Sequence, residues 1–395
     1  MNPTLYLISN SPGEVSTFVK PVVSELRRRH PDWDLQICLV PCPYATGAEA
    51  RVIAEWPEGP QVWTPWQTTQ AWWNGVGKGK PGAVVFLGGD PWHALLLKHR
   101  FQMPCLAYFS EPSGWEKTRW LGGFDKVAIG YGDDTVSERR RPVGDLRVDA
   151  VCNALELHPR SSDAKLTLAL FPGSRWLHLK AVLGSFLKVV DDIATDDLEV
   201  LLAASPFVSR ERLADAASKP WNWGVSQVRS ELREDTLVTE NGNHIQVVWG
   251  DPYRVMAQCD LALSLPGTNT AELAIAGKPT VVPLSAKAPV GGGGILGLLD
   301  RLPGLDRLKE YLKMRKKARL KLVALPNQLA GREIMPEFLV SDDLRDLSEF
   351  MSRLLKDPEA RRAIGVEARE VMGPPGAAGR LVGGIEELVS PARAV

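Results

Sequence analysis

Short apolar runs alternate with amphipathic stretches along this chain, and the alternation starts again near its middle. Runs of this kind predict buried strands, and the amphipathic stretches between them predict helices. Repeated strand–turn–helix units build a parallel, doubly wound sheet. We therefore predict an α/β fold with two doubly wound domains that face a cleft. The predicted strands are 5–8, 35–40, 83–87, 105–109 and 126–129 in the first half and 166–170, 198–203, 245–248, 261–264 and 280–283 in the second.

The length of the chain also favours two domains, because 395 residues exceed what one ordinary core accommodates. The stretch 141–160 is polar and contains two prolines, as connections between domains often do. We predict one domain over 1–155 and a second over 156–375. One option for the tail 376–395 is that it packs against the first domain.

Composition excludes several classes of protein. The 47 basic and 47 acidic residues cancel, so no global field attracts nucleic acid. The five cysteines are odd in number and scattered, which argues against a disulfide framework and for a reducing compartment. We expect no metal site. The first residues lack the features of a signal peptide, and no run of about twenty apolar residues is available to span a bilayer. We expect a cytoplasmic protein.

A glycine turn follows the first predicted strand of the second half. Gly173 permits a close backbone approach, Ser174 can cap the next helix, and the start of a helix attracts phosphate. Arg175 adds a planar, permanently charged group that suits a diphosphate. The alternative is an ordinary strand-to-helix turn with a surface arginine.

A second turn of the same layout follows the strand predicted over 261–264. Thr268, Asn269 and Thr270 can donate hydrogen bonds to phosphate oxygens at the positive end of a helix. Glu272, one turn later, is placed to accept hydrogen bonds from ribose hydroxyls. An N-capped helix with its glutamate in solvent is the alternative.

The segment 325–339 combines two prolines, an asparagine and charged groups among apolar residues, which is a poor composition for a plain helix. Asn327, Arg332, Glu333 and Glu337 are therefore candidates for a binding cleft. The alternative is that Arg332 and Glu333 merely pair with each other.

These three segments together resemble the lipid-A-disaccharide synthases. That family carries Leu-Pro-Gly-Ser-Arg where Phe171 begins the first turn here, and Ser-Gly-Thr-x-Thr-x-Glu where Pro266 replaces the first serine. The resemblance implies a glycosyltransferase with two Rossmann-like domains of the GT-B type. It also implies that the second domain binds the UDP-sugar donor. The implied donor-binding residues are Gly173, Ser174, Arg175, Thr268, Asn269, Thr270, Glu272, Asn327 and Arg332.

The first half departs from the family at several points. The family pattern Gly-Glu-x-Ser-Gly-Asp is matched over 13–16, but Thr17 and Phe18 replace its last two residues. Asp145 stands where a histidine is typical. Because this half is expected to bind the acceptor, the departures concern the identity of that acceptor.

Two acids in the first half are candidates for the catalytic base, which removes the proton of the attacking hydroxyl. Asp90 follows a predicted strand in a Gly-Gly-Asp-Pro loop and is the first choice, and Glu14 is the second. The alternative role for Asp90 is that of the N-cap residue of the next helix. Ser16 and His93 are candidates for acceptor binding.

The resemblance implies an inverting transfer of an acylated glucosamine from UDP to an acylated glucosamine 1-phosphate, with no cofactor. Three alternatives stay open: a different lipid acceptor, a sugar-nucleotide 2-epimerase, and a non-catalytic binder of nucleotide or lipid. A homodimer also stays open.

Two stretches indicate peripheral contact with the inner face of the cell membrane. The stretch 305–322 is both basic and apolar, which is typical of helices that lie on anionic membranes. The stretch 56–73 carries five tryptophans, and indoles favour the boundary between water and apolar media. A solvated basic helix and ordinary core packing are the respective alternatives.

Overall fold

A computed structural model divides the chain into two compact units. The first unit comprises Met1–Pro159, Ser205–Ser209 and Met372–Val395, and the second comprises Arg160–Ala204 and Arg210–Val371. Arg175 and nearly all of the stretch 305–322 lie outside the described residues. The structure describes residues 2–42, 45–110, 121–131, 136–160, 165–174, 176–221, 225–285, 322–340 and 343–389.

The described part of the first unit contains a seven-stranded parallel sheet. Its strands are β1 Thr4–Ser9, β2 Asp34–Leu39, β3 Gln61–Trp63, β4 Gly82–Phe86, β5 Cys105–Phe109, β6 Lys126–Ile129 and β7 Arg140–Pro142. They lie in the order β3-β2-β1-β4-β5-β6-β7, and every neighbouring pair is parallel. The chain builds outward from β1 in one direction and then crosses back to β4. The order of the strands therefore reverses between β1 and β4.

Helices cover both faces of this sheet. They include α1 Pro12–Glu14, α2 Lys20–Arg29, α3 Glu49–Ala54, α4 Pro65–Asn74, α5 Pro91–Phe101 and α6 Leu146–Glu156. Successive strand residues point to opposite faces. Leu5 and Leu7 belong to a core that includes residues of α2, α3 and α6, whereas Tyr6 and Ile8 belong to a core with α4 and α5. The helices that follow β1 and β4 thus lie on opposite faces.

The first helical stretch changes its hydrogen-bond register midway. Val15–Val19 form a π-helix, in which the Lys20 N–H donates to the Val15 carbonyl. Pro21 has no N–H to give to the carbonyl four residues earlier, which accounts for the wider turn. Helix α1 starts at Pro12, because the Glu14 side chain accepts the Ser11 N–H and caps the helix.

The described part of the second unit contains an eight-stranded sheet. Its strands are β8 Leu166–Phe171, β9 Leu198–Ala204, β10 Ser230–Arg233, β11 Thr236–Thr239, β12 His244–Trp249, β13 Leu261–Ser264, β14 Thr280–Ser285 and β15 Glu337–Val340. The order is β10-β11-β12-β9-β8-β13-β14-β15. Strands β10, β11 and β12 pair antiparallel, and the remaining pairs are parallel. Here the order of the strands reverses between β8 and β13.

The helices of the second unit form two groups. They are α7 Trp176–Ile193, α8 Arg210–Ser218, α9 Pro252–Gln258, α10 Thr268–Ile275, α11 Leu325–Ala330, α12 Arg345–Lys356 and α13 Pro358–Val371. Helix α7, which follows β8, contacts α8 and α12, whereas α10, which follows β13, contacts α11 and α13. Helices that begin at neighbouring strands therefore pack with different partners.

A last helix, α14 Ala377–Val389, returns to the first unit. Leu381, Val382 and Ile385 join the core on the face covered by α2 and α6. Buried Asp149 of α6 accepts hydrogen bonds from the N–H groups of Gly376 and Ala378, both at 2.5 Å. One carboxylate thus satisfies two of the unpaired donors at the start of α14 and attaches it to α6.

Each of the ten predicted strands is present, within one or two residues at its ends. The strands that the sequence did not predict are β3, β7, β10, β11 and β15. They are three or four residues long, too short for an apolar run to be recognised. Pairing with neighbouring strands in the sheet stabilises them as strands.

Candidate functional site

The two predicted phosphate turns lie side by side in the second unit. Strands β8 and β13 are parallel neighbours, with Phe171 paired to Ser264, and the Leu265 N–H donates to the Phe171 carbonyl at 3.2 Å. The turns after these strands therefore leave the same edge of the sheet. The strand order reverses at this pair, and that is where ligands of open α/β sheets bind.

Each turn contains a glycine whose backbone conformation is unfavourable for any other residue. Gly173 has φ of 87° and Gly267 has φ of 149°. A side chain at either position is strained, although at Gly267 no atom lies near the position of a Cβ. These glycines bring the backbone N–H groups of the following helices to the edge of the sheet. Gly267 is the N-cap of α10.

The side chains at the start of α10 differ in how they are used. The hydroxyl of buried Thr270 donates to the Gly267 carbonyl at 2.8 Å and so closes the turn on itself. Thr268 and Asn269 are partly exposed at the first two positions of the helix. Of the three predicted phosphate ligands, these two are the ones whose side chains reach solvent.

Glu272 lies inside the unit rather than at its surface. It is only 5% exposed and accepts a hydrogen bond from the Tyr253 hydroxyl at 2.8 Å. Burial and the adjacent carboxylate raise the pKa of Tyr253, so its hydroxyl stays protonated and donates. The predicted contact of Glu272 with ribose hydroxyls would have to share this carboxylate with Tyr253.

Asn327 is the centre of a local network, and it is fully buried. Its amide nitrogen donates to the Met335 carbonyl and to Glu337 Oε1, both at 2.8 Å. Its oxygen accepts the N–H groups of Ile334 at 2.8 Å and Met335 at 2.9 Å. Both donors of the amide are used, so Asn327 shapes the turn between α11 and β15 and offers no donor to a ligand in this structure.

Glu337 supports the same network from the first position of β15. Its carboxylate accepts the Val323 N–H at 2.9 and 3.0 Å and the Ala324 N–H at 2.8 Å. The segment expected to resist helix formation therefore begins as helix α11 and ends as strand β15. Glu337, which was one of the charged groups expected at a cleft, instead binds backbone N–H groups within the protein.

Arg332 is exposed and forms an ion pair with Glu367 of α13, not with the neighbouring Glu333. Exposed ion pairs contribute little to stability, so this guanidinium can exchange partners at low cost. Helix α11 contacts α10, which brings the 325–339 segment to the helix that follows the second glycine turn. The three predicted segments thus form one neighbourhood of the second unit, with Asn327 and Glu272 buried in it.

An apolar cavity of about 70 Å³ lies next to this neighbourhood, inside the second unit. Leu265 lines it and also directly precedes the second glycine turn. The other lining residues include Val182, Phe186, Pro283, Val340 and Leu347. The cavity therefore begins at the same sheet edge as the two turns and has the character of a site for hydrocarbon.

In the first unit, the predicted acids lie where the strand order of its sheet reverses. Strands β1 and β4 are parallel neighbours, and the loops after them contain Glu14 and Asp90. The Glu14 carboxylate bridges the two loops, because it accepts the N–H groups of Ser11 and Gly89, both at 3.3 Å. A side chain at Gly88 would lie 2.5 Å from the Glu14 carboxyl carbon. Glycine there is required by the close packing of that carboxyl.

Burial raises the pKa of Glu14 above its ordinary value of 4.5, and the backbone hydrogen bonds from Gly89 and Ser11 offset only part of that rise. Asp90 is exposed and occupies the N-cap position of α5, yet its carboxylate makes no capping hydrogen bond. The helix start does not consume this carboxylate, which leaves it in solvent at the reversal of strand order.

The two candidates for acceptor binding are His93 and Ser16. His93 stacks on Trp92 with ring centroids 3.6 Å apart, and burial lowers its pKa, so the ring favours the neutral form. Ser16 is partly exposed within the π-helix.

Two residues that depart from the family pattern, Phe18 and Asp145, share the same neighbours. The Phe18 ring packs edge-on against Tyr108 at 5.3 Å, and the Arg147 guanidinium lies 5.8 Å from the centre of the Phe18 ring. Buried Asp145 binds Arg147 Nε at 2.7 Å and accepts a hydrogen bond from Tyr108 at 3.4 Å. Burial and Asp145 raise the pKa of Tyr108. Sequence reasoning missed this cluster because its members are far apart in the chain.

The five tryptophans of the stretch 56–73 divide between core and surface. Trp56 packs partly against the core beneath α2, and Trp63 and Trp72 pack partly against the core beneath α4 and α5. Trp66 and Trp73 are exposed. Core packing therefore accounts for three of them.

Among the residues that the structure describes, no group of histidine, cysteine and acidic side chains is arranged to hold a metal ion. Within the same residues, no helix is both long enough and apolar enough to cross a membrane.

No protein-family model matches the chain. A curated relative, the lipid-A-disaccharide synthase of Anaeromyxobacter dehalogenans, is 29% identical to it over 220 residues, which cover 54% of this chain and 47% of that relative. The chain is a divergent relative of the lipid-A-disaccharide synthases. The chain spans about half the length of the curated relatives it matches.

Solved structures share the fold over nearly the whole chain. MurG of Acinetobacter baumannii aligns with a TM-score of 0.53 at 14% identity and covers 98% of this chain and 99% of its own. The UDP-GlcNAc 2-epimerase of Neisseria meningitidis, solved bound to UDP-GlcNAc, aligns with a TM-score of 0.52 at 13% identity and covers 98% and 100%. At such low sequence identities, these similarities establish the fold alone. The predicted α/β class of GT-B type is confirmed.

We expect Asn327→Ala to destabilise the second unit, because it leaves buried N–H groups of Ile334 and Met335 without acceptors. The free energy of unfolding should fall by about 3 kcal/mol, measured by urea unfolding. Glu333→Gln, an exposed change nearby, should leave stability unchanged. Equal stability of the Asn327 variant and the wild type would contradict the structural role.

We expect the pH dependence of unfolding to report the partly buried Glu14. Its folded pKa lies above the unfolded value near 4.5, so its contribution to stability is fully present below that value and is lost as pH rises through the folded pKa. Over that interval the wild type should lose stability relative to Glu14→Gln, which does not titrate. Glu138→Gln removes an exposed carboxylate and should behave like the wild type. Parallel curves for the wild type and the Glu14 variant would refute the assignment.

Proposed function

We propose that the protein is an inverting glycosyltransferase that moves an acylated glucosamine from UDP to a lipid acceptor at the inner face of the cell membrane. The acceptor that the family resemblance implies, an acylated glucosamine 1-phosphate, is the first to test. One observation carries the proposal: two glycine turns, each opening a helix, stand side by side where the strand order of the second sheet reverses.

In this proposal the second unit binds the donor. The backbone N–H groups at the starts of α7 and α10, with the Ser174, Thr268 and Asn269 side chains, hold the diphosphate. Arg175 and Arg332 supply positive charge. These groups matter most as the bond between the sugar and UDP breaks, because negative charge then develops on the departing diphosphate.

In this proposal the first unit supplies the base. The acceptor hydroxyl oxygen attacks the anomeric carbon, UDP leaves with the electron pair of the broken bond, and the hydroxyl proton passes to Asp90. Exposed Asp90, which makes no capping hydrogen bond, suits that role better than Glu14, which is partly buried and bound to two backbone N–H groups. Glu14 instead positions the loop that carries Asp90.

An acyl group on the donor is supported by the apolar cavity beside the second turn. Leu265 belongs both to the cavity lining and to the strand end from which the turn leaves. Burial of an acyl chain in the cavity would favour binding through the hydrophobic effect.

We expect Gly267→Ala to weaken UDP binding roughly tenfold or more, because a Cβ at this backbone conformation costs roughly 1–3 kcal/mol and moves the start of α10. Binding is measured by calorimetry with UDP. Gly242→Ala is the matched control, since Gly242 also has a positive φ and open space but lies in the turn between β11 and β12. Equal weakening by both changes would show a general loss of folding rather than a binding role.

We expect Asp90→Ala to lower disaccharide formation by roughly 10² to 10⁴-fold, the usual contribution of a positioned base. The assay incubates the protein with labelled UDP-diacylglucosamine and acylated glucosamine 1-phosphate. UDP affinity should stay unchanged in this variant.

The same assay separates the alternatives. Free epimerised sugar would replace the transferase proposal with a 2-epimerase. Turnover only when a different lipid is supplied would keep the reaction and correct the acceptor. UDP binding without turnover on any lipid would leave a non-catalytic binder.

A further inference from the structure

Large apolar side chains are exposed on the two helices that cover one face of the first sheet. Trp66 and Trp73 of α4 are 69% and 73% exposed, and Trp92 and Leu96 of α5 are 43% and 40% exposed. Burying an indole removes a large apolar area from water. A concentration of such residues on one surface marks a contact site.

The exposed residues of α4 share one side of that helix. Trp66 and Trp73 are seven residues apart, which is close to two helical turns. Thr68 and Ala71, on the other side, are buried. The helix therefore packs inward through small residues and Trp72, and it carries Trp66 and Trp73 outward.

Helix α5 is arranged in the same way. Trp92 and Leu96 are four residues apart on its outer side, whereas Ala94, Leu97 and Phe101 join the core beneath α4 and α5. Since both helices pack on the same face of the sheet and contact each other, their outer sides form one surface.

Arg100 joins the two helices at their C-terminal ends. Its guanidinium donates to the Trp72 carbonyl at 3.0 Å and to the Trp73 carbonyl at 2.8 Å. The charge is thereby held at the negative end of α4, directly beside the exposed Trp73. A positive charge and an indole are fixed next to each other on the surface.

Basic residues predominate in the part of the sequence that forms this surface. In the sequence from Gln61 to Ser110, Asp90 is the only acidic residue. Lys78, Lys80 and Arg100 are exposed near the C-terminal ends of the two helices. Anionic lipid headgroups attract such residues, and indoles insert at the same depth.

We propose that this docking face, formed by Trp66, Trp73, Trp92, Leu96, Lys78, Lys80 and Arg100, binds the surface of an anionic bilayer. The indoles enter the headgroup region while the basic groups stay with the lipid phosphates. A second copy of the chain fits the face poorly, because two equivalent basic surfaces repel each other in a symmetric pair. The docking face goes beyond the proposed reaction and does not depend on it.

The test is co-sedimentation of the full-length protein with vesicles of phosphatidylcholine, with and without phosphatidylglycerol. We expect binding to the anionic vesicles and a roughly tenfold loss of partitioning in the Trp66→Ser, Trp73→Ser double variant. Lys78→Gln with Lys80→Gln should weaken binding and its dependence on salt. Trp221→Ser removes a tryptophan that is 37% exposed in the second unit and should bind like the wild type.

Circular dichroism and UDP affinity, measured on every variant, separate loss of docking from loss of folding. The wild type failing to bind anionic vesicles would overturn the proposal, and so would full binding by the tryptophan double variant. A double variant that changes from dimer to monomer in sedimentation, with vesicle binding intact, would assign the face to self-association instead. If the wild type binds vesicles but shows no turnover, that result would count against the proposed reaction and not against the docking face.

Discussion

The reversal of strand order within each sheet governs where chemistry is available in this protein. The helix after β1 packs on one face of the first sheet and the helix after β4 packs on the other, and ligands of open α/β sheets bind where the order reverses. The second sheet repeats the arrangement between β8 and β13. Every residue that we assign to donor binding or to proton transfer lies on, or packs beside, a loop or helix that begins at one of these two points.

Carboxylates and one amide hold several loops and helix ends in shape. Glu14 joins the loops after β1 and β4, and Asp149 attaches the last helix to α6. Asn327 and Glu337 close the turn between α11 and β15. In each case side-chain acceptor atoms pair with backbone N–H groups, and a buried N–H group without a partner is costly. Polar residues of this kind resemble ligand-binding residues in the sequence, although their partners are within the protein.

The departures from the family pattern form one physical unit. Phe18 replaces an acid, and Asp145 restores a carboxylate at a different position, where Arg147 neutralises it and Tyr108 donates to it. Because the pair is buried, loss of either charge alone would leave the other without compensation. The substitutions are thus consistent with each other, and they alter the polarity of the half proposed to bind the acceptor.

The sequence by itself determined the α/β class, the ten principal strands and the two glycine turns, since apolar runs and positive-φ glycines are local properties. It did not determine which polar residues face solvent. Asn327 and Glu272 proved to be buried, Asp90 exposed, and the tryptophans of 56–73 divided between core and surface. Short strands such as β3 and β15 were also missed, because partners in the sheet stabilise them. Burial and hydrogen-bond partners depend on segments distant in the chain, so only the tertiary structure decided them.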